Sequence, residues 1–152
     1  MTRILSGVIA LLVLLAGALL WVGQMGPTDA LIFENPRVRL TPGTGPMAGY
    51  VTIRNRSDRE VALVGARSPQ FGQVMLHRTV IRDGQARMEH QDRVPIAPGS
   101  VVEFRPGDLH LMLMRRQQRL NVGDPVEIVF EFDGIKPGEW TLGFTVVPVT
   151  AQ

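Results

Sequence analysis

The sequence predicts an all-β domain, an antiparallel sandwich or barrel, preceded by one N-terminal hydrophobic helix. Three observations predict it. The 152-residue chain opens on an uncharged apolar run, Ile4–Val22. Beyond that run, no amphipathic helical window exceeds two turns. In its place come about nine short apolar or alternating segments, separated by turn residues at roughly 8–12-residue spacing, which is the pattern of sandwiches and barrels.

The apolar run comes first. Nineteen helical residues from Ile4 to Val22 reach about 28 Å at about 1.5 Å each, close to the hydrocarbon thickness of a bilayer. Residues 1–23 are therefore read as a signal peptide or a signal anchor. A small-x-small site at Ala16-Gly17-Ala18 supports cleavage. Trp21 at the far end of the run supports an uncleaved anchor, because an aromatic ring sits well at the interface. Either way Arg3 holds the N-terminus inside, and the remainder crosses the membrane. Residues 24–30 form a polar linker with Gly and Pro, and residues 31–149 form the folded domain, long enough for a modest core.

Within that domain the strand candidates follow in order. Leu31–Leu40 leads into a Thr-Pro-Gly-Thr-Gly-Pro turn. Met47–Asn55 alternates and ends at Arg-Ser-Asp. Val61–Ala66 precedes Ser-Pro. Val74–Ile81 runs to Asp83-Gly84, a two-residue hairpin signal, and Ala86–Gln91 returns from it. Val94–Ile96 precedes Pro98-Gly99, and Val101–Phe104 precedes Pro106-Gly107. Leu109–Met114 is short and apolar, and Val126–Phe132 and Trp140–Val147 complete the set.

Composition narrows the function. Lys plus Arg is 16 against 14 for Asp plus Glu, a net charge of +2. All the basic residues but Lys136 are Arg, and they are scattered, so no nucleic-acid partner is expected. They are expected on solvated strand faces. Cysteine is absent, which removes disulfides, thiolate metal sites, thiol catalysis and blue-copper centres.

The remaining chemistry rests on three His and seven Met. Residues two apart on a strand share a face. Met75 and His77 therefore point the same way, as do Met88 and His90, and as do His110, Met112 and Met114. A soft thioether beside a borderline imidazole suits Cu(I), whereas Zn(II) rarely takes thioether and Ca(II) or Mg(II) wants carboxylates. The plain alternative for Met47 and Met75 is core filler. For His90, flanked by Glu89, Gln91 and Asp92, it is a solvated strand end. Strand geometry alone leaves Met112 and Met114 both open as partners of His110, with Met114 starting about 13–14 Å away along the strand.

The spacing His77, ten residues, Met88, twenty-one residues, His110, one residue, Met112 resembles the H-x10-M-x21-H-x-M signature of the PCuAC family of periplasmic copper chaperones. The flanking text VMLHRTV, GQARM and VPIAPGSVVEFRPGDLHLMLM agrees, and the resemblance covers about Leu31–Val149. It implies a cupredoxin-like antiparallel β-sandwich binding one Cu(I) through His77, Met88, His110 and Met112, and no enzymatic activity. It also implies delivery of copper to a cytochrome c oxidase subunit, at its Cu(A) or Cu(B) site, alongside a Sco-type thiol protein. The expected location is the periplasm, tethered to the inner membrane by residues 4–22 or free after cleavage. The apolar run departs from the family pattern, because it resembles an anchor more than a cleavable signal. The rival reading is a membrane-tethered β-sandwich interaction module whose methionines merely pack.

Overall fold

A computed structural model describes residues 30–151. The predicted N-terminal helix, its signal or anchor role and residues 24–29 of the linker lie outside the described residues. Ten strands follow in chain order: β1 (Leu31–Arg39), β2 (Met47–Asn55), β3 (Val61–Arg67), β4 (Phe71–Arg82), β5 (Gln85–His90), β6 (Val94–Ile96), β7 (Val101–Phe104), β8 (Leu109–Arg116), β9 (Pro125–Asp133) and β10 (Glu139–Val147). The described residues contain no helix, so the all-β expectation is borne out.

The strands hydrogen-bond in the order β5-β4-β8-β2-β1-β10-β9-β3-β6, with β7 beside the second half of β2. The sheet folds over into a sandwich. Every pairing is antiparallel except β1 with β10, which run parallel from Arg37–Thr145 to Arg39–Val147. The expected antiparallel β-sandwich is borne out, with this one parallel pair within it. Parallel neighbours require a long connection, and here nearly the whole domain supplies it.

Alternation decides which residues enter the core. In β9 (PVEIVFEFD), Val126, Ile128, Phe130 and Phe132 are buried, while Glu127 and Asp133 are exposed and Val129 and Glu131 are half-buried. In β2, Met47, Val51 and Ile53 enter the same cluster, with Leu111 and Leu113 of β8 and Phe144 of β10. Met47 is thus core, as expected. Gly49 lies against Leu111 and Leu113, where an added Cβ would come within 3.2 Å of both.

Local chemistry sets the turns. Asp83 and Gly84 both adopt positive φ, 53° and 74°, and Arg82 pairs with Gln85. This is the mirror-image two-residue turn whose twist matches a hairpin. In β1 the pairing shifts between Glu34 and Arg37, and Asn35 there has φ 53°, the bulge that a short polar side chain tolerates. At the far end of β2, Asn55 is fully buried. Its amide nitrogen donates to the carbonyl oxygens of Arg59 (2.8 Å) and Ile96 (3.0 Å), and its oxygen accepts from Ser57 N (2.9 Å) and Oγ (2.6 Å). One side chain thereby ties the β2–β3 turn to the end of β6.

Candidate metal centre

β4 places His77 and Met75, β5 places Met88 and His90, and β8 places His110, Met112 and Met114. These three strands are neighbours, in the order β5-β4-β8. His77 stands directly opposite both His90 and His110, Met75 opposite Met112, and Met88 opposite Thr79. Directly paired residues share a face. The three Met/His groups therefore lie on one face of one sheet, the face turned away from Leu109, Leu111 and Leu113. Of the residues expected as core filler, Met75 proves to sit on this face, half-buried beside Met112.

The Asp83-Gly84 hairpin turn supplies the reason that residues so far apart in sequence meet. It fixes the β4–β5 register, and the register sets Met88 two pairs along the ladder from His77, on the same face. β8 then closes the group by pairing along the other edge of β4.

The imidazoles form a row. The His77 ring centroid is 6.0 Å from that of His110 and 5.7 Å from that of His90, both edge to face. His110 is only 6% exposed. Its Nδ1 lies 2.9 Å from the carbonyl oxygen of Asp108. A carbonyl only accepts, so this contact assigns the proton to Nδ1 and leaves the Nε2 lone pair free. His77 Nδ1 is buried without a hydrogen-bond partner. Burial, and after it the neighbouring His110 and His90, hold the His77 pKa below its ordinary value, so the neutral, ligating form is favoured.

Met88, His110 and Met112 line one cavity of about 390 Å³, walled by Tyr50, Arg39 and Val149 among others. Met114 is not among its lining residues. Met88 is 58% exposed and so leaves a thioether at the mouth. A larger cavity, about 610 Å³, lies at the other end of the domain near Ser57 and Asp133. It contains neither His nor Met, so size alone would misplace the site. Among the described residues no group of three His, Cys, Asp or Glu side chains is arranged to hold a metal ion. The donors gathered here are imidazole and thioether, a set that fits a soft cation and not a hard one.

The sequence reading missed the wall of this cavity. The guanidinium groups of Arg37 and Arg39 each lie 5.3 Å from the centre of the Tyr50 ring. Arg39 also donates to the carbonyl oxygen of Ala151 at 2.7 Å. These two arginines are half-buried and not on a solvated face as expected. The i, i+2 spacing of Arg37 and Arg39 was a visible signal of a shared face, but only the β1–β2 pairing shows that Tyr50 occupies it.

Comparison with known proteins places this geometry. The LpqE-like family model matches residues 31–146. The copper-bound PCuAC domain from PmoF2 superposes with a TM-score of 0.65 at 26% identity, covering 78% of this chain and 93% of that domain. The Cu(I) form of DR1885 from Deinococcus radiodurans superposes with a TM-score of 0.54 at 26% identity, covering 84% and 85%. An uncharacterized protein, RP573, of Rickettsia prowazekii is 30% identical over 102 residues. Those residues are 66% of this chain and 56% of that relative, so the chain spans little more than half of the relative's length. The match over nearly the whole β-domain, and the fold shared with PCuAC domains, show that the chain belongs to the LpqE-like family, a PCuAC-type family.

Proposed function

We propose that this chain is a copper chaperone that carries one Cu(I) on His77, Met88, His110 and Met112. The observation that carries the reading is the convergence of two imidazoles and two thioethers on one face of β5-β4-β8, with a buried His77 nitrogen that has no other partner. The Nε2 of His110 is presented as a lone pair by the Asp108 contact, an outer partner of the kind that orients metal-bound histidines. The copper carried by the PmoF2 domain and by DR1885 supports the same cargo here.

Four neutral donors without thiolate hold Cu(I) less firmly than a cysteine site would. The acceptor's ligands replace Met or His one at a time, starting at exposed Met88, and free copper is never released. No bond of a substrate is made or broken, so the protein is not an enzyme. The family resemblance supports a cytochrome c oxidase subunit as acceptor, at Cu(A) or Cu(B), with a Sco-type thiol protein as partner. It also supports a periplasmic location, with residues 4–22 as a tether or cleaved leader.

The test is Cu(I) binding by the full chain in detergent, measured against a chromophoric chelator, for wild type and His110→Ala. Wild type should take up one tightly bound equivalent and prefer it to Zn(II). His110→Ala should lose at least tenfold in affinity. Equal competition by zinc, or an unchanged His110→Ala protein, would refute the reading.

A further inference from the structure

Met75 and His90 lie on the face of the candidate metal centre, yet neither belongs to its four residues. His90 ends β5 directly opposite His77, and Met75 precedes His77 by two positions on β4. Met75 is thus diagonal to His90, within reach of a long thioether side chain. Met75, His90 and Asp92 line a cavity of about 190 Å³ bounded by Val64–Ala66 of β3. No residue lining it also lines the cavity of Met88, His110 and Met112. His77 stands between the two, its ring facing His110 on one side and His90 on the other.

The His90 ring is oriented. Its Nε2 lies 3.2 Å from Asp92 Oδ1. With Nε2–H donating to this carboxylate oxygen, the lone pair is on Nδ1. Carboxylate behind imidazole is the arrangement that orients histidines bound to metals. Glu131 also lines the cavity, and its carboxylate is paired with Arg67 at 3.0 Å. The donors left for a metal are a thioether and an imidazole, a set of soft character suited to Cu(I).

We propose that Met75 and His90, with Asp92 orienting the imidazole, form a second and weaker copper position beside the first, joined to it by His77. The inference rests on the reading of the first position as a copper centre. Copper passes between the two by ligand exchange. One bond from copper to Met88 or His110 breaks for each bond formed to His90 or Met75. The metal remains Cu(I) and no electron moves. The second position is weaker because it has fewer donors and because the His90 side chain is 52% exposed. It gives the site a second side from which an acceptor can take copper while the first position is covered.

The experiment is an anaerobic Cu(I) titration of the full chain in detergent with a weak competing chelator. Wild type should show two equivalents, the second at least tenfold weaker. His90→Ala and Met75→Leu should each remove the second and leave the first within about twofold. Far-UV circular dichroism of both variants, which alter a partly exposed edge of the sheet, should match wild type. A single equivalent in wild type overturns the proposal, as does a second equivalent that survives both substitutions. Loss of the first equivalent from wild type is a different result, and it overturns the copper-centre reading itself.

Discussion

The two faces of β8 do opposite work on one backbone. Leu109, Leu111 and Leu113 point inward, each at most 1% exposed, into the cluster that holds the sandwich together. His110, Met112 and Met114 point the other way, onto the face they share with Met75 and His77 of β4, and the first two line the cavity beside Tyr50. The inner face uses branched aliphatic side chains with few rotamers, which pack into a fixed core. The outer face uses unbranched thioethers, which adapt to irregular space and carry lone pairs. Leu and Met differ little in volume or hydropathy, so the segment LHLMLM reads as one apolar run. What separates its faces is donor chemistry. On the outer face His110 is buried and Met112 and Met114 are half-buried, and the packed inner face holds the strand that carries them.

The comparison breaks most clearly at Leu111. Leu111→Ala leaves a hole among packed neighbours and should cost about 3 kcal/mol of stability, the usual range for a buried Leu. Urea denaturation of the copper-free full chain measures it, and a loss under about 1 kcal/mol would mean that the inner face is not the structural one. The outer face should respond in affinity and not in stability. Met112→Leu conserves volume and should weaken Cu(I) binding at least tenfold, about 1.4 kcal/mol, with an unchanged denaturation midpoint. Met114→Leu, whose side chain does not line the cavity, should leave both quantities unchanged. The reverse ranking of Met112 and Met114 would reassign the ligand on this strand.

Acid provides the smallest effect and the sharpest check on the outer face. Burial, and then the neighbouring imidazoles, lower the His77 pKa in the folded chain. As pH falls through the ordinary histidine value of about 6.5, the unfolded chain takes up a proton that the folded chain resists. The unfolded state then binds more protons, so stability is full above that value and declines below it. The copper-free chain should therefore show a lower urea midpoint at pH 5.5 than at pH 7.5, and His77→Gln should flatten the difference. Asp133, depressed by its hydrogen bonds with Arg93 and the Gly134 backbone, adds its own loss only in stronger acid. A wild-type midpoint that is flat or higher at pH 5.5 would mean that burial does not depress His77.

Much of this molecule was legible in the sequence because period-2 alternation and turn residues are local signals. The β9 pattern and the Asp83-Gly84 hairpin translate directly into strand and register. The spacing of His77, Met88, His110 and Met112 was legible too, and the shared faces within each strand followed from strand geometry. The Asn55 hub was not. A buried Asn and a surface Asn look alike until Ile96, 41 residues away, comes to accept its hydrogen bond. Nor was the Arg37–Tyr50–Arg39 stack, for which the separate strands offered no reason to meet.

The sequence by itself determined the strands, their inward residues and the donor types, because each depends on a residue and its near neighbours. Only the tertiary structure decided that β4, β5 and β8 are adjacent and that their three Met/His groups share one face. It also decided that Met112 lines the cavity while Met114 does not, and that His90 and Met75 flank His77 on a side of their own. The physical reason is that strand pairing joins residues far apart along the chain through backbone hydrogen bonds common to every residue. Side-chain identity carries little record of which strand will be the partner, and the core that selects the partner forms only when all the strands pack together.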